Sequence, residues 1–333
     1  MGEKRNALVD VTRAAAAGGI ILCHVDLTGF GAVGEFFSQF LSVRFSLLFF
    51  LAVIGFYAEK ACQAGKSPFF KRVCSLMRIY GIWSLVYLAL SFVLLVLIQK
   101  MPLAQYLVSR VKGFFLSGSY YHFWFYPAVI YALLFIGGMK MLLGQRALRF
   151  LLPLAAVLYV IGLLGTGYLP IGRQIPGLRA LYAAEGFETV MHLFCLGLPG
   201  VVFGMTAAQK SRAPTGRMLL TAAAAYVAES VILCLVLGWR ENPQMLISTP
   251  LLTVLFLRWT QHSSLTLRRV NPSLCRTVSS VMYNVHPLVL AAFAVVLPQL
   301  NGLWAFLLCV ILSAVFGWAL YRLRKIRFFA LFV

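Results

Sequence analysis

Long apolar runs, separated by short polar segments, follow one another along the whole chain. Ten of them approach or reach the roughly 20 residues that a helix needs to cross a bilayer. They cover residues 7–27, 41–58, 74–98, 123–143, 149–166, 189–208, 217–238, 243–258, 276–297 and 302–322. The pattern predicts an all-α fold, a polytopic membrane helix bundle of about ten transmembrane helices. We expect one membrane-embedded domain over residues 1–333, with no soluble extracytoplasmic domain.

The composition also indicates a membrane protein. Of the 333 residues, 61% are hydrophobic and 11% are charged, which excludes an ordinary soluble domain. Of the 29 Lys and Arg residues, 21 lie beside the spans on the side of the termini, 6 lie on the opposite side, and Arg13 and Arg44 lie inside spans. Basic residues are retained in the cytoplasm, so both termini are predicted to be cytoplasmic. This topology accounts for the net charge of +20, and no nucleic-acid partner is expected.

The cysteine and histidine patterns argue against metal sites and disulfides. None of the seven cysteines forms a C-x-x-C pair, so we expect neither disulfides nor thiolate metal sites. No cluster of His, Asp and Glu has the spacing of metal ligands, and no metal is expected. The first apolar run resembles a signal peptide, but charged residues interrupt it, and it is interpreted as an uncleaved anchor.

This first run, residues 7–27, carries Asp10, Arg13 and His24. Arg13 and His24 are eleven positions apart, which leaves them about 20° apart around a helix and about 16 Å apart along it. Ionisable groups inside a span usually face the bundle interior or a wet cavity. Two interpretations are open: a buried site along one helix stripe, or an Asp10–Arg13 ion pair at the cytoplasmic end with His24 at the outer interface.

Further motifs follow in a fixed order along the chain. They are Asp10-x-x-Arg13 followed after ten residues by His24; Arg44, Phe49-Phe50 and Gly55-Phe56-Tyr57; Arg78-x-Tyr80-x-x-Trp83-x-x-x-Tyr87; Tyr121-His122-x-Trp124-x-x-Pro127; and Tyr283-Asn284-x-His286-Pro287. Together they resemble the acyltransferase-3 family of integral-membrane acyltransferases over nearly the whole chain. The second and third spans are also similar to the membrane half of serine-racemase-type relatives. Two departures are Ile54, where the family usually has Ser, and Glu188 to His192, where a basic-Asn-Gly signature is missing.

The resemblance implies that an acyl group moves from cytoplasmic acyl-CoA, usually acetyl-CoA, to a hydroxyl of a cell-envelope glycan or lipid-linked sugar. It would place the chain in the bacterial cytoplasmic (inner) membrane as a multi-pass protein. Membrane lipids and the glycan acceptor are the expected partners, and a homodimer is left open. Two alternatives are a transporter or permease-like module for a small molecule such as an amino acid, and a non-catalytic partner in polysaccharide export.

Within that family, His24, Arg13 and Asp10 are the candidate catalytic residues. Imidazole has an ordinary pKa of about 6.5, so His24 could remove the acceptor proton as a general base; a transient acyl-imidazole is the alternative. Arg13 could hold a CoA phosphate or stabilise an oxyanion, with Asp10 holding Arg13. We expect acyl-CoA to run along the small-residue track between Ala14 and Gly19. Asp26 is a weak partner of His24 unless the helix ends there.

The other candidates each have a structural alternative. Arg13, Arg72, Arg78 and Arg44 are the candidate acyl-CoA ligands, but positive-inside anchoring accounts for Arg72 and Arg78, and snorkelling for Arg44, equally well. The candidate acceptor-binding residues are His122, Trp124, Tyr121, Glu229 and His286. An interfacial belt would also explain the residues around Trp124. Glu229 and His286 could be structural, Glu229 through pairing with an Arg in the bundle. His192 and His262 lack supporting context.

Overall fold

The structure, a computed structural model, describes residues 6–241, 244–263, 267 and 270–332. In these ranges it is helical and contains no strand, which confirms the all-α prediction. The α-helices are α1 (Ala7–Cys23), α2 (Gly31–Glu35), α3 (Val43–Gln63), α4 (Lys66–Phe92), α5 (Leu103–Leu116), α6 (Phe125–Leu143), α7 (Ala147–Leu164), α8 (Leu169–Gly172), α9 (Pro176–Ala183), α10 (Phe187–Val190), α11 (Leu198–Ala207), α12 (Gly216–Val231), α13 (Ser248–His262), α14 (Pro272–Val296), α15 (Gly302–Leu323) and α16 (Arg327–Ala330).

Several α-helices are continuous with π-helical segments, which have wider turns. The π-helical segments Phe36–Ser42, Val93–Ile98, Met191–Gly197 and Ile232–Val236 adjoin α3, α4, α11 and α12. Within the described residues, seven segments are long and apolar enough to cross a membrane: Thr28–Gln63, Lys66–Ile98, Leu103–Leu164, Phe187–Ala207, Gly216–Val236, Pro272–Val296 and Gly302–Leu323. The chain is therefore a multi-pass membrane protein.

The count of ten spans and the cytoplasmic termini stay predictions. Helices α1 and α13, with 17 and 15 residues, are shorter than an average span. The predicted spans 123–143 and 149–166 fall within the single apolar segment Leu103–Leu164, where α6 and α7 are joined by the short 3₁₀ turn Gly144–Arg146. The predicted span 243–258 begins outside the described residues. Four of the basic residues used to predict the orientation also lie outside them: Lys4, Arg5, Arg268 and Arg269.

Helix α3 lies at the centre of the bundle. Its side chains are buried on all sides from Leu48 to Ala61 except for Ile54 and Lys60, as expected for a helix that is apolar around its whole circumference. It packs against α11, α1, α13 and α4, while α1 lies between α3 and α14, and α15 covers α14 from outside. Large apolar side chains such as Leu142 and Val295 remain exposed on the periphery, as they would be against lipid tails.

Small residues let α3 and α11 approach closely. A Cβ atom on Gly55 would lie 1.9 Å from the carbonyl oxygen of Val201, and one on Gly204 would lie 1.8 Å from that of Ala52. Backbone contact of this kind is typical of helix pairs inside membranes, where small residues replace the hydrophobic driving force. The close contact fixes α3 relative to α11.

Helix α1 ends earlier than the apolar run predicts. It begins at the cap Asn6, whose side chain accepts a hydrogen bond from the Leu8 N–H, and it ends at Cys23 with His24 as the C-cap. Asp26 forms a local turn in which its carboxylate accepts a hydrogen bond of 2.8 Å from the Thr28 N–H. Such Asx turns compete with continuation of a helix. His24 therefore stands at the exposed end of α1 and not within a regular helix.

Candidate functional site

Three histidines that are far apart in sequence meet in one cluster. The ring of His24 stacks on that of His286, with centroids 5.1 Å apart, and His286 contacts His122 edge-on at 5.3 Å. Tyr121 packs against His24 at 5.3 Å. The histidine cluster, defined as His24, His122 and His286, thus brings together one candidate catalytic residue and two candidate acceptor ligands.

The cluster contains polar atoms without partners. His286 is fully buried and His122 is 3% exposed. The Nδ1 of His286 lies 3.1 Å from the Met282 carbonyl, so Nδ1 carries the proton and Nε2 is left as an acceptor. In the described part of the chain, neither Nε2 of His286 nor either ring nitrogen of His122 has a hydrogen-bond partner. Buried polar atoms are normally satisfied by protein or by water, so these nitrogens could accept a hydrogen bond from, or donate one to, a buried water or a polar ligand.

Local chain geometry positions two of these rings. His122 belongs to the 3₁₀ turn Tyr121–Trp124, which leads into α6. His286 precedes Pro287, which lies inside α14 and has no N–H to offer the Tyr283 carbonyl one turn earlier. The main chain of α14 is therefore interrupted where it carries the histidine.

Asn284 holds the surrounding helices in register. Its side-chain oxygen accepts a hydrogen bond of 2.9 Å from the Tyr126 hydroxyl on α6. Its backbone carbonyl accepts another, of 2.7 Å, from the Tyr87 hydroxyl on α4. Both tyrosines are buried, and Tyr87 also packs on His122 with centroids 5.2 Å apart. This network fixes His286 on α14 relative to His122 at the start of α6.

A cavity of about 830 Å³ leads towards the cluster from the opposite end of the bundle. Its walls come from α1, α3, α4, α6 and α14. Along α3 its lining extends from Ala64 to Leu47, which is about 25 Å at 1.5 Å per residue. Towards the histidine cluster the lining is aromatic, with Phe50, Phe125, Tyr126 and Tyr283.

The other end of this cavity is basic. Four cationic side chains line it where α3 ends and where α4 and α14 begin: Lys60, Lys71, Arg72 and Arg276. Two of them flank the ring of Tyr57, with Lys60 Nζ at 6.0 Å and Arg72 Cζ at 5.6 Å from its centroid. An elongated cavity with a cationic mouth and an apolar interior suits a ligand with a polyanionic head and a long, weakly polar arm.

Arg13 lines this cavity and pairs with Asp10. Its Nη1 lies 3.7 Å from the Asp10 Oδ1, and Asp10 is fully buried. The guanidinium also lies 6.0 Å from the centroid of the Phe50 ring. The ion pair of one sequence interpretation is therefore present, and Arg13 also faces the cavity.

The small-residue track of α1 does not line the cavity, contrary to expectation. From α1 only Arg13 and Ile20 contribute to its wall. Ala16 and Ala17 are buried, and a Cβ on Gly19 would lie 2.4 Å from the Ser46 Oγ of α3. Ala16, Ala17 and Gly19 therefore serve helix packing, and the cavity runs along α3.

Two candidate acyl-CoA ligands lie elsewhere. Arg44 is buried away from the cavity, with its Nη2 3.3 Å from the Gln39 Oε1, and does not snorkel. Arg78 lines a surface depression of about 400 Å³ that adjoins the mouth of the cavity, because Lys71 and Ser75 line both. Neither Arg44 nor Arg78 lines the cavity itself.

Glu229 lies apart from the histidine cluster and caps a helix. Its carboxylate accepts hydrogen bonds from the backbone N–H groups of Ile247 and Ser248, at 2.7 and 2.8 Å, at the start of α13. The Tyr168 hydroxyl and the Ser248 hydroxyl donate two more. A carboxylate is stabilised at a helix N-terminus, and this capping takes the place of the expected Arg partner.

Trp124 is adjacent to the cluster but is already stacked. Its ring lies parallel to that of His192, with centroids 3.9 Å apart and an interplanar angle of 9°. The His192 Nε2 is 3.0 Å from the Gln244 Oε1. His192, which had no supporting context in the sequence, is therefore a neighbour of the candidate acceptor residue Trp124.

Several residues around the site were not among the candidate site residues named from the sequence. Tyr283 and Tyr87 contact the histidines, and Lys60, Lys71 and Arg276 line the cavity mouth. Both tyrosines lie in motifs that resemble the acyltransferase-3 family, and this resemblance is the sequence signal that could have identified them. Lys60, Lys71 and Arg276 could not be distinguished by sequence from the other basic residues on the predicted cytoplasmic side.

Comparison with known proteins gives the class. The profile of the acyltransferase-3 family, described as an acyltransferase domain, matches residues 6–322, and the chain belongs to this family. With its apolar helices, this supports a membrane acyltransferase. A relative described as an amino-acid racemase, from Enterococcus faecalis, is 27% identical over 180 residues, which cover 52% of this chain and 25% of the relative. The chain thus matches about a quarter of that protein's length. No solved structure matches it.

Proposed function

We propose that the protein is a membrane O-acyltransferase that moves an acyl group, most simply acetyl, from cytoplasmic acyl-CoA to a hydroxyl of a cell-envelope glycan or lipid-linked sugar. The single observation that carries this proposal is the cavity of about 830 Å³ that joins a basic mouth to the neighbourhood of the histidine cluster. Family membership supplies the reaction class. The bacterial cytoplasmic membrane is the proposed location, and the homodimer stays a prediction.

The cavity fits acyl-CoA by charge and length. Lys60, Lys71, Arg72 and Arg276 would face the phosphates of the nucleotide. The pantetheine arm would then lie along α3, where the lining changes to apolar and aromatic side chains. Arg13 lies about 16 Å along α1 from His24. This distance favours a role for Arg13 in holding the donor over a role in stabilising an oxyanion beside His24.

The histidine cluster supplies the base. The acceptor oxygen attacks the thioester carbonyl carbon, its proton passes to the imidazole of His24, and a C–O bond forms. The C–S bond then breaks, and the proton passes from His24 to the CoA thiolate. His24 is exposed at the end of α1, so an acceptor would reach it from outside. The ring nitrogens of His122 and the Nε2 of His286, which have no hydrogen-bond partner among the described residues, would bind the acceptor hydroxyls.

The test uses purified protein in nanodiscs with radiolabelled acetyl-CoA and an isolated envelope glycan fraction. We expect label in the glycan, and binding of acetyl-CoA that is competed by CoA more strongly than by pantetheine, because the phosphates contact the basic mouth. Absence of both label transfer and acetyl-CoA binding would overturn the proposal. Binding without transfer would show that the acceptor lies outside that fraction, and lipid-linked sugars would then be tested in the same assay.

A second candidate is a permease-like module for a small molecule such as an amino acid. The observation that favours it is the similarity to a protein described as an amino-acid racemase. Reconstituted vesicles loaded with radiolabelled serine or alanine separate the two candidates. Uptake or release that depends on the protein, with no acetyl-CoA binding, would support the permease.

A further inference from the structure

Tyr283 stands between the donor cavity and the histidine cluster. On one side it lines the cavity with Phe50, Phe125 and Tyr126. On the other side its ring lies 5.5 Å from that of His122 and 6.2 Å from that of His286, centroid to centroid. The same ring therefore touches both compartments.

Tyr283 is held in this place from several directions. Its hydroxyl donates a hydrogen bond to the backbone carbonyl of His122, which ties α14 to the turn before α6. The rings of Phe125 and Tyr126 pack on it from α6, with centroids 5.5 and 6.1 Å away. Only 9% of the side chain is exposed. A ring fixed at both its edge and its tip acts as a wall.

The two compartments differ in their access. The cavity reaches the bundle end that carries Lys60 and Arg276. The histidine cluster reaches the opposite end through His24, which is exposed, and Tyr121, which is 55% exposed. Without an intervening side chain, water would have a path from one end of the bundle to the other.

We propose that Tyr283 is the barrier between donor and acceptor compartments and that its ring keeps water and protons from crossing. The part of this inference that concerns the thioester rests on the proposed function. The barrier itself is inferred from the geometry alone. Without the ring, a water oxygen would attack the thioester carbonyl carbon, the C–S bond would break, and the water protons would go to the thiolate and to the medium. The products would be the free carboxylate and CoA.

The experiment compares wild type, Tyr283→Ala and Tyr283→Phe. Acceptor-free CoA release from acetyl-CoA is measured in nanodiscs with a thiol reagent. Proton leak is measured in liposomes of phosphatidylethanolamine and phosphatidylglycerol that contain a pH-sensitive dye. Exclusion of water from active sites suppresses this side reaction, and we expect Tyr283→Ala to raise CoA release about tenfold or more. Proton leak should rise with it, while Tyr283→Phe keeps the ring and stays close to wild type in both assays.

Tyr159→Ala is the matched control. Tyr159 is also buried, its hydroxyl also donates to a backbone carbonyl, that of Leu246 at 2.7 Å, and it does not line the donor cavity. Loss of stability alone would therefore affect both alanine variants, whereas loss of a barrier would affect only the one at position 283. If Tyr283→Ala does not fold, Tyr283→Leu replaces it, because Leu preserves apolar packing but is too short to fill the ring's place.

The outcomes separate the barrier from the reaction. A folded Tyr283→Ala or Tyr283→Leu variant with wild-type CoA release and wild-type proton leak overturns the barrier. An equal rise in Tyr159→Ala overturns it too. If wild type neither binds acetyl-CoA nor transfers acetyl groups, the proposed function fails, but the proton-leak assay needs no acyl-CoA and still decides whether Tyr283 is a barrier.

Discussion

The imidazole of His24 at the end of α1 stacks on the imidazole of His286 in the middle of α14, with an interplanar angle of 27°. The contact joins α1, the first helix of the chain, to α14 in the bundle. It brings an exposed ring, which an acceptor can reach, against a buried ring whose Nε2 has no hydrogen-bond partner among the described residues. The pair thus connects the outer surface with the buried part of the site.

Replacement of His24 by Ala should abolish transfer. Loss of a general base lowers the rate on the order of 10²–10⁴-fold, and we expect kcat to fall by this amount with little change in acetyl-CoA binding. Label transfer and donor binding are measured on the same preparation. His262→Ala is the control, because His262 is exposed at the end of α13 and does not line the cavity. Equal activity of the two variants would remove His24 from the reaction.

Replacement of Arg72 by Gln should weaken donor binding and leave the chemical step unchanged. Arg72 lies at the mouth of the cavity, far from the histidine cluster. We expect KM for acetyl-CoA to rise on the order of tenfold with kcat within about twofold, the signature of lost ground-state binding. Arg217→Gln removes the same charge from the exposed start of α12, which does not line the cavity, and should leave KM unchanged. A larger effect at Arg217 would place the nucleotide outside the cavity.

Replacement of Gly55 by Ala should destabilise the bundle. The added methyl would collide with the Val201 carbonyl on α11, so the two helices must separate. Overpacking of this kind lowers the free energy of unfolding by about 1–3 kcal/mol, which thermal unfolding in detergent would detect. Gly81→Ala in α4, where a Cβ meets no atom within 4 Å, should be neutral or slightly stabilising because Ala favours helices. Indistinguishable melting temperatures would contradict the close contact of α3 with α11.

Replacement of Asp26 by Asn should leave transfer intact. Hydrogen bonds from the Thr28 side chain and backbone N–H hold the pKa of Asp26 below its ordinary value. Because the folded-state pKa is lowered, any stability from this carboxylate is present at neutral pH and is lost only as the pH falls through that lowered pKa. Asn keeps an oxygen for the Thr28 N–H. We expect the pH–rate profiles of both proteins to coincide between about pH 5 and 8, where histidine titrates. A displaced profile would make Asp26 a partner of His24.

The sequence predicted the helical fold and named His24, His122 and His286 as separate candidates, because hydropathy and short motifs are local signals; it did not predict that the three rings meet. Asp10, Arg13 and His24 were found from their spacing on one helix, and the ion pair between the first two, one of the two interpretations left open, is present. The wall between cavity and cluster was not predicted, because the position of Tyr283 depends on how α14 crosses α6. The packing of Gly19 on Ser46 likewise depends on the neighbouring helix, and one-helix periodicity indicated an open track there.

Glu229 is another residue whose role could not be predicted from the sequence. An acidic residue inside a span indicates a functional site or an ion pair, and the sequence could not distinguish these from a helix cap. The backbone donors that satisfy it come from Ile247 and Ser248 at the start of α13. Only the folded chain places that helix start beside the carboxylate.

The basic mouth of the cavity has a consequence for regulation. If acyl-CoA is the donor, the free CoA that remains after transfer would be held by the same phosphate contacts that bound acyl-CoA. It would leave through the same opening. Free CoA would then act as a competitive product inhibitor, and the rate of envelope modification would follow the cellular ratio of acylated to free coenzyme. The protein would thereby link surface chemistry to the carbon supply of the cell.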